Sequence, residues 1–439
     1  MKRAVSARPS RPVVRRAPIG GVPTVFDPFS GIAGRVIKPK GVRTERAHDC
    51  RFAGVAHPAF GASLARAGHL CRDPEPPVIR SAALPDTGYY VSRAVAAEHL
   101  VIDGGPHGYR NAGHAHADAL SMTLSIRGRP LLVDPGTGCY TIDARLRDRF
   151  RSTELHNTVI VDGRPQSAAG APFQWIRRTD ATTHRWRTTS AIDYFDGSHD
   201  GYAPVTHRRR VLVVHDDLIV VADYVDDPAR DPHTASAHWH VDPSWAVEIH
   251  DRIVTFQCRH DRAALVVPQG HIASFFADLE TGLGWHSPAY GRVDPAATIT
   301  VTHTAAAPFW LVGVFDLNPL DPVRDAVLLP VWAEAGTMAH ATGLRIARSS
   351  SIDFVLFAEP ASAGLRQTWR VAELETDARM LFCTVDCGEL SRLALVDGSI
   401  VKGTGRRAIG LALGRSAPVL YVDKTTIRKY TPCAASPAL

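Results

Sequence analysis

The sequence predicts an all-β protein: a large antiparallel β-sandwich, a smaller C-terminal β region and a poorly structured N-terminal leader. Two observations carry this. From Gly88 onward, short β-branched and aromatic runs alternate with clusters of turn residues. Beyond residue 90 no amphipathic stretch longer than about ten residues repeats at helical spacing. No repeat of fixed period is present, which argues against a propeller or solenoid. The boundaries read as 1–84 for the leader, 85–318 for the sandwich and 319–439 for the C-terminal region.

The leader is basic and proline-rich. Residues 1–50 hold eleven Lys/Arg against Asp27, Glu45 and Asp49, so the other 389 residues sum to −2 within a chain of net charge +6. Positive charge interrupted by prolines at 9, 12, 18, 23, 28 and 39 is not a basic face, which argues against nucleic acid as a partner. Arg8, Pro9, Arg11, Pro12, Arg15 and Arg16 break up the apolar core that an export signal requires. Phe60–Leu70 is the one short helix candidate, weakened by Gly61 and Gly68, and Pro74-Glu75-Pro76-Pro77 reads as a linker. No run approaches the roughly 18 apolar residues of a membrane helix, so a span is excluded. Seven cysteines, scattered and without a C-x-x-C, define neither a disulfide framework nor a metal knuckle.

The strands follow in order. Arg210–Val214 and Leu218–Val225 are joined by His215-Asp216-Asp217, and Trp245–His250 and Ile253–Cys258 by Asp251-Arg252; both are hairpin patterns. Further strands are expected at Ala297–His303, Phe309–Phe315, Ile352–Ala358, Trp369–Leu374, Met380–Val385, Arg392–Val396 and Val419–Val422.

The densest segment runs from Asp103 to Gly163. His114, His116 and Asp118 share a period-two face with Leu120, Met122, Leu124 and Ile126, which should point inward on a continuous strand. Ionisable groups at the mouth of a buried face are costly unless paired, metal-bound or catalytic. Arg127-Gly128-Arg129 turns the chain, and Pro130–Val133 returns towards Asp134-Pro135-Gly136. A tight hairpin there leaves His116 roughly 17–23 Å from Asp134 along the strand at ~3.3 Å per residue. One ion could therefore bind both only if the chain folds back near Asp118. Spacing alone does not define a metal site.

The run GHAHADALSMTLSIRGRPLLVDPGTGCY, followed by RFRSTELHNTVIVDG, resembles the C-terminal β-sandwich region of the heparinase II/III-like polysaccharide lyases. The likeness extends upstream to Gly88-Tyr89-Tyr90 with Arg93. Downstream it reaches Asp200-Gly201-Tyr202 and His207–Arg210; after about residue 260 only β-rich character agrees. The resemblance implies a zinc held by His116, Asp134 and His156, primarily ordering the loops around a substrate cleft. It also implies cleavage of a uronate-containing anionic polysaccharide by β-elimination. That chemistry needs a base for the C5 proton, a neutraliser for the adjacent carboxylate and an acid for the leaving oxygen. His114 is the catalytic candidate. Arg151 and Asn157 are candidates for the carboxylate and Tyr140 for the substrate, with Tyr109 and Tyr202 as further phenols.

Members of that family place a helical toroid before the sandwich, and their catalytic Tyr comes from it. No residue of this leader matches that Tyr. A polysaccharide-binding sandwich without turnover, a separately encoded helical partner, or a zinc-dependent hydrolase are therefore alternatives to a self-sufficient lyase. Such relatives usually work in the cell envelope or periplasm; this sequence leaves the compartment open.

Overall fold

The structure is a computed structural model, and it describes residues 80–94, 98–333, 340–359, 367–403 and 410–426. These all lie within one compact unit, Cys71–Leu439. The basic stretch, the Phe60–Leu70 helix candidate and the proline linker fall outside the described residues.

Strand accounts for 58% of the described residues and helix for 4%, in several antiparallel sheets, so the all-β expectation holds. The first sheet runs in the spatial order Ala82–Leu84, Tyr89–Arg93, His99–Asp103, Met122–Ile126, Arg129–Leu132, Pro232–Val241, Ala297–Ala306 and His271–Phe276, with Val159–Val161 also paired to Pro232–Val241. The second sheet has at its centre Phe309–Asp316, Leu218–Asp226, Thr206–Val214 and Ile192–His199. A third, C-terminal sheet runs from Asp325–Leu329 through Ser351–Ala358, Met380–Asp386 and Glu389–Gly403 to Val331–Ala333.

The middle sheet is buried on both faces, which explains why its sequence reads as unbroken apolar runs rather than alternation. Val211, Val213, Ile219, Val221 and Val225 point into a core shared with the first sheet, alongside Leu124, Leu132 and Trp239. Leu212, Val214, Leu218, Val220 and Ala222 point into a second core with Ile346, Val355, Phe357 and Phe382 of the third sheet. Period two distributes one run between two cores. Both expected hairpins form, with Val214 opposite Leu218 and His250 opposite Ile253. Asp216 (φ 58°) and Asp251 (φ 51°) take the left-handed position at their tips, which short polar residues tolerate.

Two expected strands differ. Trp369–Leu374 is a hairpin, Trp369–Val371 and Leu374–Thr376, turned at Ala372 (φ 48°). The strand expected from His114 starts only at Met122; Met122, Leu124 and Ile126 do face inward.

Arginine–carboxylate networks join the middle and third sheets. Asp196, with 1% of its side chain exposed, accepts from Arg185 (2.8 Å) and from Arg208 twice (2.6 and 2.7 Å). Arg208 and Arg210 also reach Glu359 at 3.1 and 2.9 Å. Burial alone would raise the Asp196 pKa, but Arg210, Arg208 and Arg185 hold it far below the ordinary carboxylate range. Removing one partner from a buried network leaves the others uncompensated. Asp196→Asn should therefore destabilise the protein by about 3 kcal/mol or more, read as a fall in the urea midpoint; an unchanged midpoint would show that this network contributes nothing net.

Candidate functional site

The chain between Asp103 and Met122 is an irregular loop held by a tight turn. Ser121 N donates to Asp118 O (2.8 Å), Leu120 N donates to Asp103 O (2.8 Å), and Leu120 has φ 62°. This turn supplies the fold-back near Asp118 that a shared site for His116 and Asp134 requires.

Asp134 follows the strand Arg129–Leu132 and heads the DPGTG loop. Its Oδ1 accepts from Gly136 N at 2.8 Å. Gly136 has φ 88°, and a Cβ there would lie 2.3 Å from the carbonyl oxygen of Ser287, so only glycine fits. Ser287 N donates to Pro135 O (2.7 Å) and Gly291 N to Gly138 O (2.8 Å), binding the hairpin Trp285–Ala289/Arg292–Pro295 to this loop.

His156 follows the one-turn 3₁₀ helix Thr153–Leu155 and is completely buried. Its Nδ1 pairs with Asp134 Oδ2 at 2.7 Å, while its Nε2 is buried with no hydrogen-bond partner. The adjacent Asn157 explains the placement of both. Its amide donates to Met122 O (2.8 Å) and Val133 O (2.9 Å), and its Oδ1 accepts from His240 N (2.6 Å).

One ligand atom from each of His116, Asp118, Asp134 and His156 lies within 4.8 Å of the others. Donors on a tetrahedral zinc lie about 3.4 Å apart, so the widest pair would have to close by up to about 1.4 Å for all four to share one ion. Donor chemistry agrees for His116, whereas at His156 burial is outweighed by Asp134, which raises the imidazole pKa. Burial, then the charge of His156, holds the His116 pKa down to about 3, so its imidazole is neutral. Its Nε2 already faces a cation, the buried Arg147 guanidinium at 2.9 Å. Arg147 belongs to the helix Ala144–Phe150, capped by Asp143, whose Oδ1 accepts from Arg145 N and Leu146 N at 2.9 and 3.0 Å.

Acidic groups crowd the same floor. Desolvation and then Asp118 raise the Asp103 pKa to about 7; desolvation, aided by Asp134, raises Asp118. Desolvation opposes ionisation of Asp134 too, but His156 keeps its pKa well below the usual range. Above them opens a cleft of about 720 Å³, lined by Tyr89, His107, Tyr109, Arg110, Asn111 and His114 as well as these acids. His114 is exposed and meets the Tyr140 ring edge-on at 5.4 Å.

Sequence expectations and structure part company at the carboxylate contacts. Arg151 is fully buried: Nε and Nη2 hold Asp148 at 3.0 and 2.6 Å, and the remaining N–H groups reach the carbonyls of Gly170, Ala171, Pro172 and Gln174. Asn157 is 1% exposed and committed to three backbone segments. Neither side chain is presented to the cleft. Tyr202 is also buried, donating to Val159 O at 2.9 Å. Sequence reasoning missed Asp118 as a metal-ligand candidate, although it stands two residues after His116. It also missed Arg110 and Asn111, whose only mark was their place in a glycine-flanked polar run, GYRNAG.

A family model described as heparinase II/III-like, C-terminal, matches residues 76–325. The chain belongs to this family. No curated protein sequence matches it. Among solved structures, a mutant of the heparan sulfate lyase HepC from Pedobacter heparinus is similar at 17% identity and a TM-score of 0.51, over 66% of this chain and 44% of that one. A heparinase III gene product with methylated lysines is similar at 18% identity and a TM-score of 0.50, over 65% and 43%. The fold is thus shared, and the chain spans less than half the length of these structures. Among the described residues no helix is long and apolar enough to cross a membrane.

The Asn157 clamp is testable by itself. Asn157→Ala leaves two buried carbonyls and one buried N–H unpaired, each worth about 1–3 kcal/mol. The expected result is a large drop in thermal midpoint; a shift within a degree or two would remove the clamp from the account of the fold.

Proposed function

We propose that the chain is a polysaccharide lyase-like protein that acts on a uronate-containing anionic polysaccharide by β-elimination. In this proposal a structural zinc is held by His116, Asp134 and His156, with Asp118 beside them as a fourth candidate ligand. The observation that carries the reading is the four-residue donor set beneath an open cleft, in a chain of this family. Buried His156 supports it further: its Nε2 has no hydrogen-bond partner and is free to meet a cation. When bound, zinc would supply fixed positive charge that holds the loops and lowers the cost of crowded carboxylates.

In this reading His114 is the base. It stands at the cleft, and takes the C5 proton α to the uronate carboxylate as the C4–O bond breaks. Because Arg151 and Asn157 are committed elsewhere, the proposal moves carboxylate neutralisation to Arg110, with Asn111 beside it. A guanidinium at a developing enolate stabilises the transition state more than the ground state. Tyr109, 81% exposed and lining the cleft, is the phenol best placed to protonate the leaving oxygen; Tyr140 packs behind His114 against Phe173 and Tyr290 as a substrate wall.

A second reading, a polysaccharide-binding sandwich without turnover, is favoured by one observation: two of the residues that elimination would use are locked inside the protein. Absorbance of the unsaturated product over a panel of acidic polysaccharides separates the two. Product formation that His114→Ala abolishes, with zinc content unchanged, supports the lyase. Binding without product supports the second reading, and product made equally by His114→Ala removes His114 from the mechanism. His116→Ala should lose zinc and lower the thermal midpoint together. Equal zinc by metal analysis in wild type and His116→Ala would sink the ligand assignment.

A further inference from the structure

We infer that Arg209 is a positioning residue for the cation site, setting the loops that carry Asp118 and His156 through their backbones without reaching the cleft. The inference rests on the zinc reading above. Arg209 lies on the strand Thr206–Val214 of the middle sheet, one layer behind the site, and is completely buried. One side of its guanidinium is anchored: Nε and Nη2 donate to Asp223 Oδ1 and Oδ2 at 2.8 and 3.0 Å. The other side is a fork. Nη1 donates to Leu120 O at 2.9 Å and to Asn157 O at 2.7 Å.

These two carbonyls are where the site loops are set. Leu120 is the left-handed residue of the turn that throws Asp118 and His116 off the strand direction. A β-carbon-bearing residue holds that conformation only when its surroundings impose it, and the bond from Arg209 to its carbonyl is such an imposition. Asn157 immediately follows His156. A single planar group therefore fixes the spacing between the two halves of the ligand set, and a planar fork suits this where a lysine ammonium does not.

The anchor is itself held. His199 Nδ1 accepts from Gly201 N (3.1 Å), which places its proton on Nε2, facing His207 Nδ1 at 2.9 Å. His207 Nε2 then donates to Asp223 Oδ1 at 2.8 Å. Burial keeps both imidazoles neutral, against the pull of Asp223 on His207. The guanidinium is seated over the Trp239 ring, 5.3 Å from its centroid. No ligand atom of the cation site touches this chain of groups, so its effect on metal binding passes through backbone placement alone.

The experiment measures zinc affinity of the full chain by competition with a chromophoric chelator, for wild type, Arg209→Lys and Asp196→Asn. Groups hydrogen-bonded to metal ligands typically change affinity by about 10–100-fold when altered; Arg209 acts one residue further away, and a loss of about tenfold, the low end of that range, is expected for Arg209→Lys. Asp196→Asn lies in the separate network towards the third sheet and serves as a control for lost stability; its zinc affinity should stay within about twofold of wild type. Equal affinity in Arg209→Lys and wild type overturns the inference, as does an equal loss in both variants, which would mark a general effect of destabilisation. Should Arg209→Lys fail to fold, His207→Gln replaces it. That variant removes only one of the three bonds on Asp223, and the same loss of affinity relative to Asp196→Asn supports the inference while no loss overturns it. A wild-type chain that takes up no zinc overturns the metal reading and this inference with it.

Discussion

The structure around the cleft depends on one buried carboxamide. Asn157 spends its two donors on carbonyls of the segments containing Met122 and Val133 and its acceptor on the backbone of the strand containing His240. A buried amide left unpaired costs several kcal/mol, so this side chain admits one arrangement of those three segments. His156 precedes it and Asp134 follows Val133, so the same arrangement brings imidazole and carboxylate to 2.7 Å. The local pattern His-Asn-Thr thus combines a buried imidazole held beneath the cleft with the side chain that fixes its position. Thr158 extends the lock by donating to Ala119 O at 2.9 Å.

The wider architecture supports this rigidity at a distance. A sheet covered on both faces has no solvent to hydrate its polar side chains, so each one left unmatched within the protein is costly. The middle sheet carries Arg209 and Asp223 towards the cleft side, and Asp196, Arg208 and Arg210 towards the third sheet. These pairs give the stacked layers a definite register, which apolar packing alone specifies weakly because neighbouring β-branched residues are alike in shape. The third sheet is therefore tied to the sandwich by directional bonds as well as by a shared core. Arg348 adds to this through Asp217, Asp316 and Asp353.

Much of the fold was legible from residue type. β-branched runs marked the strands, and His215-Asp216-Asp217 and Asp251-Arg252 marked the hairpin tips, because their chemistry suits left-handed turns. Legibility failed where an unsuited residue takes that conformation. Leu120 and Ala372 both have positive φ, and neither announces a turn, so the strands through them read as continuous. The ligand set shows the same limit. His116 and Asp134 are distant along an ideal hairpin, and only likeness to a family joined them; the turn at Leu120 then makes the junction physical. Arg151 and Asn157 illustrate a different ambiguity. Donor-rich side chains suit an anionic substrate and buried carbonyls equally, and burial, which composition does not reveal, separates the cases.

The charge distribution of the cleft bears on how an acidic polymer could enter it. Asp103, Asp118 and Asp134 converge on its floor, while His114, Arg110 and Tyr109 stand among its walls. Without a cation, burial and mutual repulsion favour protons on Asp103 and Asp118, so the floor sheds part of its negative charge. A divalent ion among the four donors would favour ionisation of the same carboxylates, its charge offsetting theirs. Either way the floor stays near neutrality, and the field a polyanion meets is set by the cationic group on the rim. The acidic floor is therefore compatible with an acidic ligand, because protonation of Asp103 and Asp118, or a bound cation, offsets its charge.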